Sequence, residues 1–160
     1  MASYEVSVPV YFQRFYLGNY PNRLEDSPVE KYDFEPLAVS AGDGIGLNSI
    51  TSNHTAHVTL DVFDAAADVP EVVRERQPQH WFISSAREIA LTDTEGGPAL
   101  VLPALPAGRV VCAVSCTGRD EAYAARHHQH QDDVRDVERW HIAVWPDIAG
   151  APAPDATEPR

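Results

Sequence analysis

The sequence predicts a mainly β fold: a single antiparallel β-sandwich with one short helix and a flexible C-terminal tail. Three observations carry that expectation. Short runs of alternating apolar and polar residues recur along the chain. Turn residues punctuate them at intervals of about ten positions, the rhythm of a sandwich. Thirteen Pro and nine Gly disfavour long helices. The 160 residues suffice for one ordinary domain with its own core. That domain is placed over residues 1–147, and residues 148–160 read as an Ala/Pro-rich tail without an aromatic anchor.

The elements follow in order. Tyr4, Val6, Val8, Val10 and Phe12 alternate with polar neighbours, a strand running from Tyr4 to Gln13. Pro9 withholds one ladder donor, which favours an edge position or a bulge. Asn19 to Asn22 reads as a turn, and the polar stretch to Pro36 as a loop. Leu37–Val39 and Ile45–Ile50 are short strands separated by Ala41-Gly-Asp-Gly44. His57–Phe63 is a cleaner strand, with Val58, Leu60 and Val62 on one side and His57, Thr59 and Asp61 on the other. Asp68-Val-Pro-Glu71 reads as a helix start, with Asp68 as the cap and Pro70 in the first turn, ending near Gln77. Strands resume at His80–Ser84 and Glu88–Leu91, and Asp93–Gly97 links the latter to Ala99–Leu102 as a hairpin. Arg109–Thr117 is a strand. Arg119–Asp136 reads as a long exposed connection holding one or two helical turns. Val137–Trp145 alternates again, with Trp140, Ile142 and Val144 marking the inner face. No internal repeat is visible.

Cys112 and Cys116 fall on one face of the strand Arg109–Thr117. Four strand steps separate them by roughly 13 Å, beyond the reach of a disulfide. They read as small core hydrophobes of a reduced, cytosolic protein. The first residues lack the basic and apolar regions of a secretory signal, and no apolar run approaches the roughly 20 residues of a membrane span. His80 and His141 flank Trp81 and Trp140, and adjacent strands would bring them together as an aromatic–imidazole cluster.

In the second half, Trp81-Phe82 leads to a hairpin, and Leu-Pro-Ala-Gly-Arg-Val-Val over 105–111 opens the next strand. Thr117-Gly-Arg-Asp120 follows, and the last strand ends Trp140-His-Ile-Ala-Val-Trp-Pro146. This cadence resembles a group of small, mostly uncharacterised bacterial β-sandwich proteins and is similar to competence protein J, which is associated with nuclease inhibition. The similarity covers roughly residues 80–146 and consists of β-sandwich grammar, so it carries over no functional residue. Eleven Arg against one Lys, with many Ala, resembles the usage of high-GC actinobacterial proteins.

The formal net charge is −12, from 12 basic and 24 acidic residues. Such acidity argues against a face for duplex nucleic acid. It is concentrated: Tyr32 to Val73 holds Asp33, Glu35, Asp43, Asp61, Asp64, Asp68 and Glu71 and no Lys or Arg. The leading expectation is a non-enzymatic acidic interaction module, an inhibitor or immunity-type protein. Asp33, Glu35, Asp43, Asp61 and Asp64 would meet the basic surface of another protein. No residue is assigned a catalytic role, because no serine lies in a nucleophile elbow and Gly42–Gly46 lacks the Lys-Ser/Thr of a phosphate loop. His54 and His57 lie three apart and face opposite ways on a strand.

The alternative is a metal-dependent or sugar-binding sandwich. His127, His128 and His130 are its candidate ligands for a divalent metal, followed at once by Asp132 and Asp133. Loops bearing Asp43, Asp61 and Asp64 offer oxygens to Ca²⁺. No cofactor is otherwise expected. A second alternative is a structural subunit of an oligomer that pairs through the edge strand Tyr4–Gln13.

Overall fold

The computed structural model describes residues 1–21, 36–41, 44–75, 81–84, 87–103, 105 and 108–147. Ten strands occur among these residues: β1 (Ala2–Val10), β2 (Arg14–Asn19), β3 (Ala38–Ala41), β4 (Gly44–Asn48), β5 (His54–Val62), β6 (Trp81–Ser84), β7 (Ile89–Thr92), β8 (Pro98–Leu102), β9 (Arg109–Thr117) and β10 (Arg135–Pro146). Two helices join them, α1 (Glu71–Glu75) and α2 (Arg119–His127). Sheet A has the order β1-β5-β10-β9-β6 and sheet B the order β3-β4-β2-β7-β8. All pairings are antiparallel except that of β10 with β5. The mainly β class stands.

Period-two alternation builds the core. Val58 and Leu60 of β5, Cys112 and Val114 of β9, and Trp140, Ile142 and Val144 of β10 face Phe15, Leu17, Ile45, Leu47 and Leu91 of sheet B. Phe15 meets Trp140 edge to face, with ring centroids 5.2 Å apart, and so ties the centre of one sheet to the centre of the other. Each such large apolar side chain contributes about 1.5–3 kcal/mol by leaving water. A second cluster covers part of the outer face of sheet A: Phe63, Val111, Ala113, Ala143 and Trp145 pack against Val69, with Ala66 and Val73 beside them.

Several expectations shift. The strand from Tyr4 to Gln13 ends at Val10, and Phe12 and Gln13 turn the chain at φ 52 and 61 into β2. Pro9 does sit in an edge strand. The helix expected over Asp68–Gln77 begins later, at Glu71, and its expected end near Gln77 lies outside the described residues. Asp68 closes a single 3₁₀ turn (Ala66–Asp68), and the Pro70 carbonyl, not an Asp68 cap, takes the first α1 bond, from the Arg74 amide. The connection over Arg119–Asp136 holds a full nine-residue helix, α2, with Ala122 and Ala125 buried. Gly118 precedes it at φ 75, where a Cβ would run into the Val137 carbonyl. Trp81 and Trp140 are not on adjacent strands, because β9 lies between β6 and β10. His80 and the tail at 148–160 lie outside the described residues.

Two local readings hold closely. At the β7–β8 hairpin the Asp93 carboxylate accepts hydrogen bonds from the Glu95 and Gly97 amides, at 2.9 and 2.8 Å. Cys112 and Cys116 are both free thiols, the first in the core and the second half-buried. No helix among the described residues is long and apolar enough to cross a membrane.

Candidate functional site

The densest chemistry lies at the α2 end of the sandwich. In β10 the register against β5 shifts between Arg135 and Arg139, with Asp136 at φ 55 inside the bulge. Beyond it, Glu138 joins Trp140, Ile142 and Val144 on the inner face, where it is 0% exposed. His54, at the start of β5, faces it with Nε2 3.3 Å from Glu138 Oε2, and both side chains are fully enclosed. Ser49 Oγ donates to the same oxygen at 2.6 Å, and the Ile50 amide donates to Oε1 at 3.3 Å.

Proton counting fixes the remaining contacts. Ser49 has one hydroxyl proton, and the carboxylate claims it in a short charge-assisted bond. The 2.8 Å contact between His54 and Ser49 then requires Nε2–H to donate to Oγ. The Thr51 amide donates to that oxygen as well, at 3.3 Å. His54 Nδ1 is left buried with no hydrogen-bond partner among the described residues. Burial pushes the Glu138 carboxyl upward. The hydrogen bonds from His54 and Ser49, the pull of the imidazole and the Ile50 amide outweigh that and hold it below its ordinary value of 4.5. Glu138 is therefore ionised, and Arg119 of α2 lies 3.9 Å from its Oε1.

Serine, histidine and glutamate together invite comparison with a hydrolytic triad. The wiring differs. In a triad the carboxylate holds Nδ1–H while Nε2 takes the proton of the nucleophile. Here Ser49 and Glu138 both crowd Nε2, serine donates directly to the acid, and all three side chains are closed off from solvent. The group is a buried clamp. It joins β10, the start of β5 and the segment between β4 and β5.

The candidate metal ligands do not converge. His127 Nε2 is 2.9 Å from Thr51 Oγ1, and its ring lies 4.3 Å from that of Tyr123. His128 meets the Tyr123 ring edge-on with centroids 5.7 Å apart, and the His130 backbone takes φ 53. Among the described residues no group of three or more His, Cys, Asp or Glu could hold a metal ion. His127 and His128 thus share Tyr123 as a ring partner, and His127 also reaches Thr51.

Two of the five expected partner-binding acids are described. Asp61 lies on the outer face of β5, and its Oδ2 is 2.7 Å from His141 Nε2 on β10. Burial raises its carboxyl, but the hydrogen bonds from His141 and Ser3 outweigh that and leave it below the ordinary carboxylate range. Asp64 is exposed where β5 ends, and it accepts a 2.6 Å bond from the Met1 amine. That bond holds the amine above its ordinary value, with the Asp68 charge adding to it. Asp68 and Glu71 follow, both exposed. Asp33, Glu35 and Asp43 lie outside the described residues.

Sequence reasoning missed Ser49, His54 and Glu138 as a group. Strand alternation puts Glu138, two residues before Trp140, on the Trp140 side. An acid in an apolar series is the signal that would have found the clamp. On the outer face of sheet B a buried pair was also missed. Arg14 Nε donates to Asn48 Oδ1 at 2.7 Å, and Asn48 Nδ2 donates to the Pro36 carbonyl at 2.8 Å.

No family model matches the sequence, and no curated protein does. A solved structure described as crocagin biosynthetic gene J is similar to this chain, with a TM-score of 0.50 at 13% sequence identity over 92% of this chain and 99% of that one. At that identity the likeness is one of fold, and it agrees with the two-sheet architecture.

Proposed function

We propose that the protein is a non-enzymatic, acidic binding module of the inhibitor or immunity type. It would meet the basic surface of another protein at the corner where β5 leaves sheet A. The observation that carries this reading is the run Asp61, Asp64, Asp68 and Glu71, in a stretch without Lys or Arg from Tyr32 to Val73. The last three are exposed at one corner. The similarity in strand cadence of residues 80–146 to competence protein J, which is associated with nuclease inhibition, points the same way but carries over no residue. Like charge gathered on one face steers an oppositely charged partner and selects it more than it adds raw affinity.

The test is capture from the native host on immobilised protein. A partner held at about 50 mM salt should be released at about 500 mM, where charges are screened within about 4 Å. A variant with Asp64→Asn, Asp68→Asn and Glu71→Gln should lose that partner, whereas Glu95→Gln with Asp132→Asn, acids placed elsewhere, should keep it. Capture that ignores both salt and the triple variant retires the proposal.

A further inference from the structure

Helix α2 is attached to the sandwich chiefly through polar groups. It buries only Ala122 and Ala125, far less apolar surface than Trp140, Ile142 and Val144 of the neighbouring strand place in the core. Its ends are fastened instead. At the first residue, Arg119 Nε lies 3.9 Å from the Glu138 carboxylate. At the last, His127 Nε2 lies 2.9 Å from Thr51 Oγ1. Both keepers are well anchored. Glu138 is held by Ser49, His54 and the Ile50 amide. The segment carrying Thr51 is tied to the β1–β2 turn by the Ser49 amide on the Gln13 carbonyl at 3.0 Å and the Asn53 amide on the Val10 carbonyl at 2.8 Å.

The flanks of the helix suit a hinge. Gly118 adopts φ 75, and His130 lies in the left-handed region at φ 53. The turn between them and β10 is short of apolar anchors until Val134, which is buried. Beneath the Arg119 end sits Cys116, half-buried, with Glu138 and Arg119 as the charged groups beside it. Cys112 lies four residues back on the same strand face, wholly inside the core.

We propose that α2 is a flap, latched by Arg119–Glu138 at one end and Thr51–His127 at the other, that swings off the end of the sandwich while both sheets stay folded. Local opening of this kind occurs where buried apolar contact is slight and polar bonds dominate. Opening uncovers the Glu138 carboxylate and the Cys116 thiol.

The two cysteines supply the test. In the wild-type protein at neutral pH, N-ethylmaleimide should modify Cys116 at least about tenfold faster than Cys112, which is reached only by global unfolding. Arg119→Gln and Thr51→Val should each speed Cys116 labelling further, by about three- to tenfold, and leave Cys112 unchanged. Arg119→Gln is a demanding probe. Losing that cation raises the thiol's proton affinity and would by itself slow the reaction. Hydrogen exchange should show the same pattern, with faster exchange over residues 119–127 and none over 110–114 or 140–144.

Equal labelling of the two thiols in the wild type overturns the flap, as does a pair of variants that leave Cys116 and the helix amides unmoved. A variant that raises both thiols and all amides together, or that fails to fold, also overturns it, since α2 would then open only with the sheets.

Discussion

Strands β5 and β10 carry two histidine–carboxylate pairs, one on each face of sheet A, and the two pairs live in different physical worlds. On the inner face His54 and Glu138 are both 0% exposed and 3.3 Å apart. On the outer face His141 and Asp61 are 37% and 18% exposed and 2.7 Å apart. The outer pair is closer, yet water and salt screen it. The inner pair is looser but has no water to fall back on, so every oxygen must find a protein donor. Contact distance is thus a poor guide to what each pair contributes. The neighbours are a better one: Ser49, Ile50 and Arg119 surround Glu138, whereas Asp61 has His141 and Ser3.

Glu138→Ala breaks this comparison most sharply. It removes the acceptor of Ser49 and the Ile50 amide and the counter-charge of Arg119, and it leaves His54 enclosed. The expected cost is about 3–5 kcal/mol, as for a buried pair that loses one partner. Asp61→Ala should cost under about 1 kcal/mol. Urea denaturation at neutral pH measures both. Similar losses for the two would show that burial is not what separates the pairs.

Acid sharpens the contrast. Glu138 has a folded value below its ordinary 4.5, so on acidification the unfolded chain binds the proton first. Its contribution to stability is then fully present above about pH 4.5 and drains as pH falls through the folded value. Between about pH 5 and pH 3 the wild type should lose more stability than Glu138→Gln, which has no proton to gain at that site. Asp61 titrates in both proteins and cancels from the difference. Parallel pH–stability curves would mean that Glu138 carries no net stabilising charge.

How much of this was legible beforehand follows from what periodicity can register. The inner faces of β9 and β10 were readable because Val110, Cys112 and Val114, and Trp140, Ile142 and Val144, recur with period two, although Val111, Ala113, Ala143 and Trp145 make the opposite face apolar as well. The Asp93–Gly97 turn was readable because its residue types dictate its geometry. β2 was not. Arg14 and Tyr16 point away from the core yet are buried, so the polar half of the alternation that marks a half-exposed strand is missing. α2 was also hidden, since two buried alanines give no apolar stripe. The clamp needed three residues from separate segments, and it depends on the parallel pairing of β10 with β5, which no local pattern encodes. The acidic stretch was visible as composition. That Asp61 belongs to a pair with His141 rather than to the exposed corner depends on which strands are neighbours.

The smallest expected effect tests the outer pair directly. A double-mutant cycle with Asp61→Asn and His141→Gln isolates their coupling from the effects of each substitution alone. At neutral pH the coupling should be about 0.2–1 kcal/mol, and added salt should reduce it. A coupling that matches the loss at Glu138, or one that ignores salt, would place the outer pair in the same dry setting as the inner one.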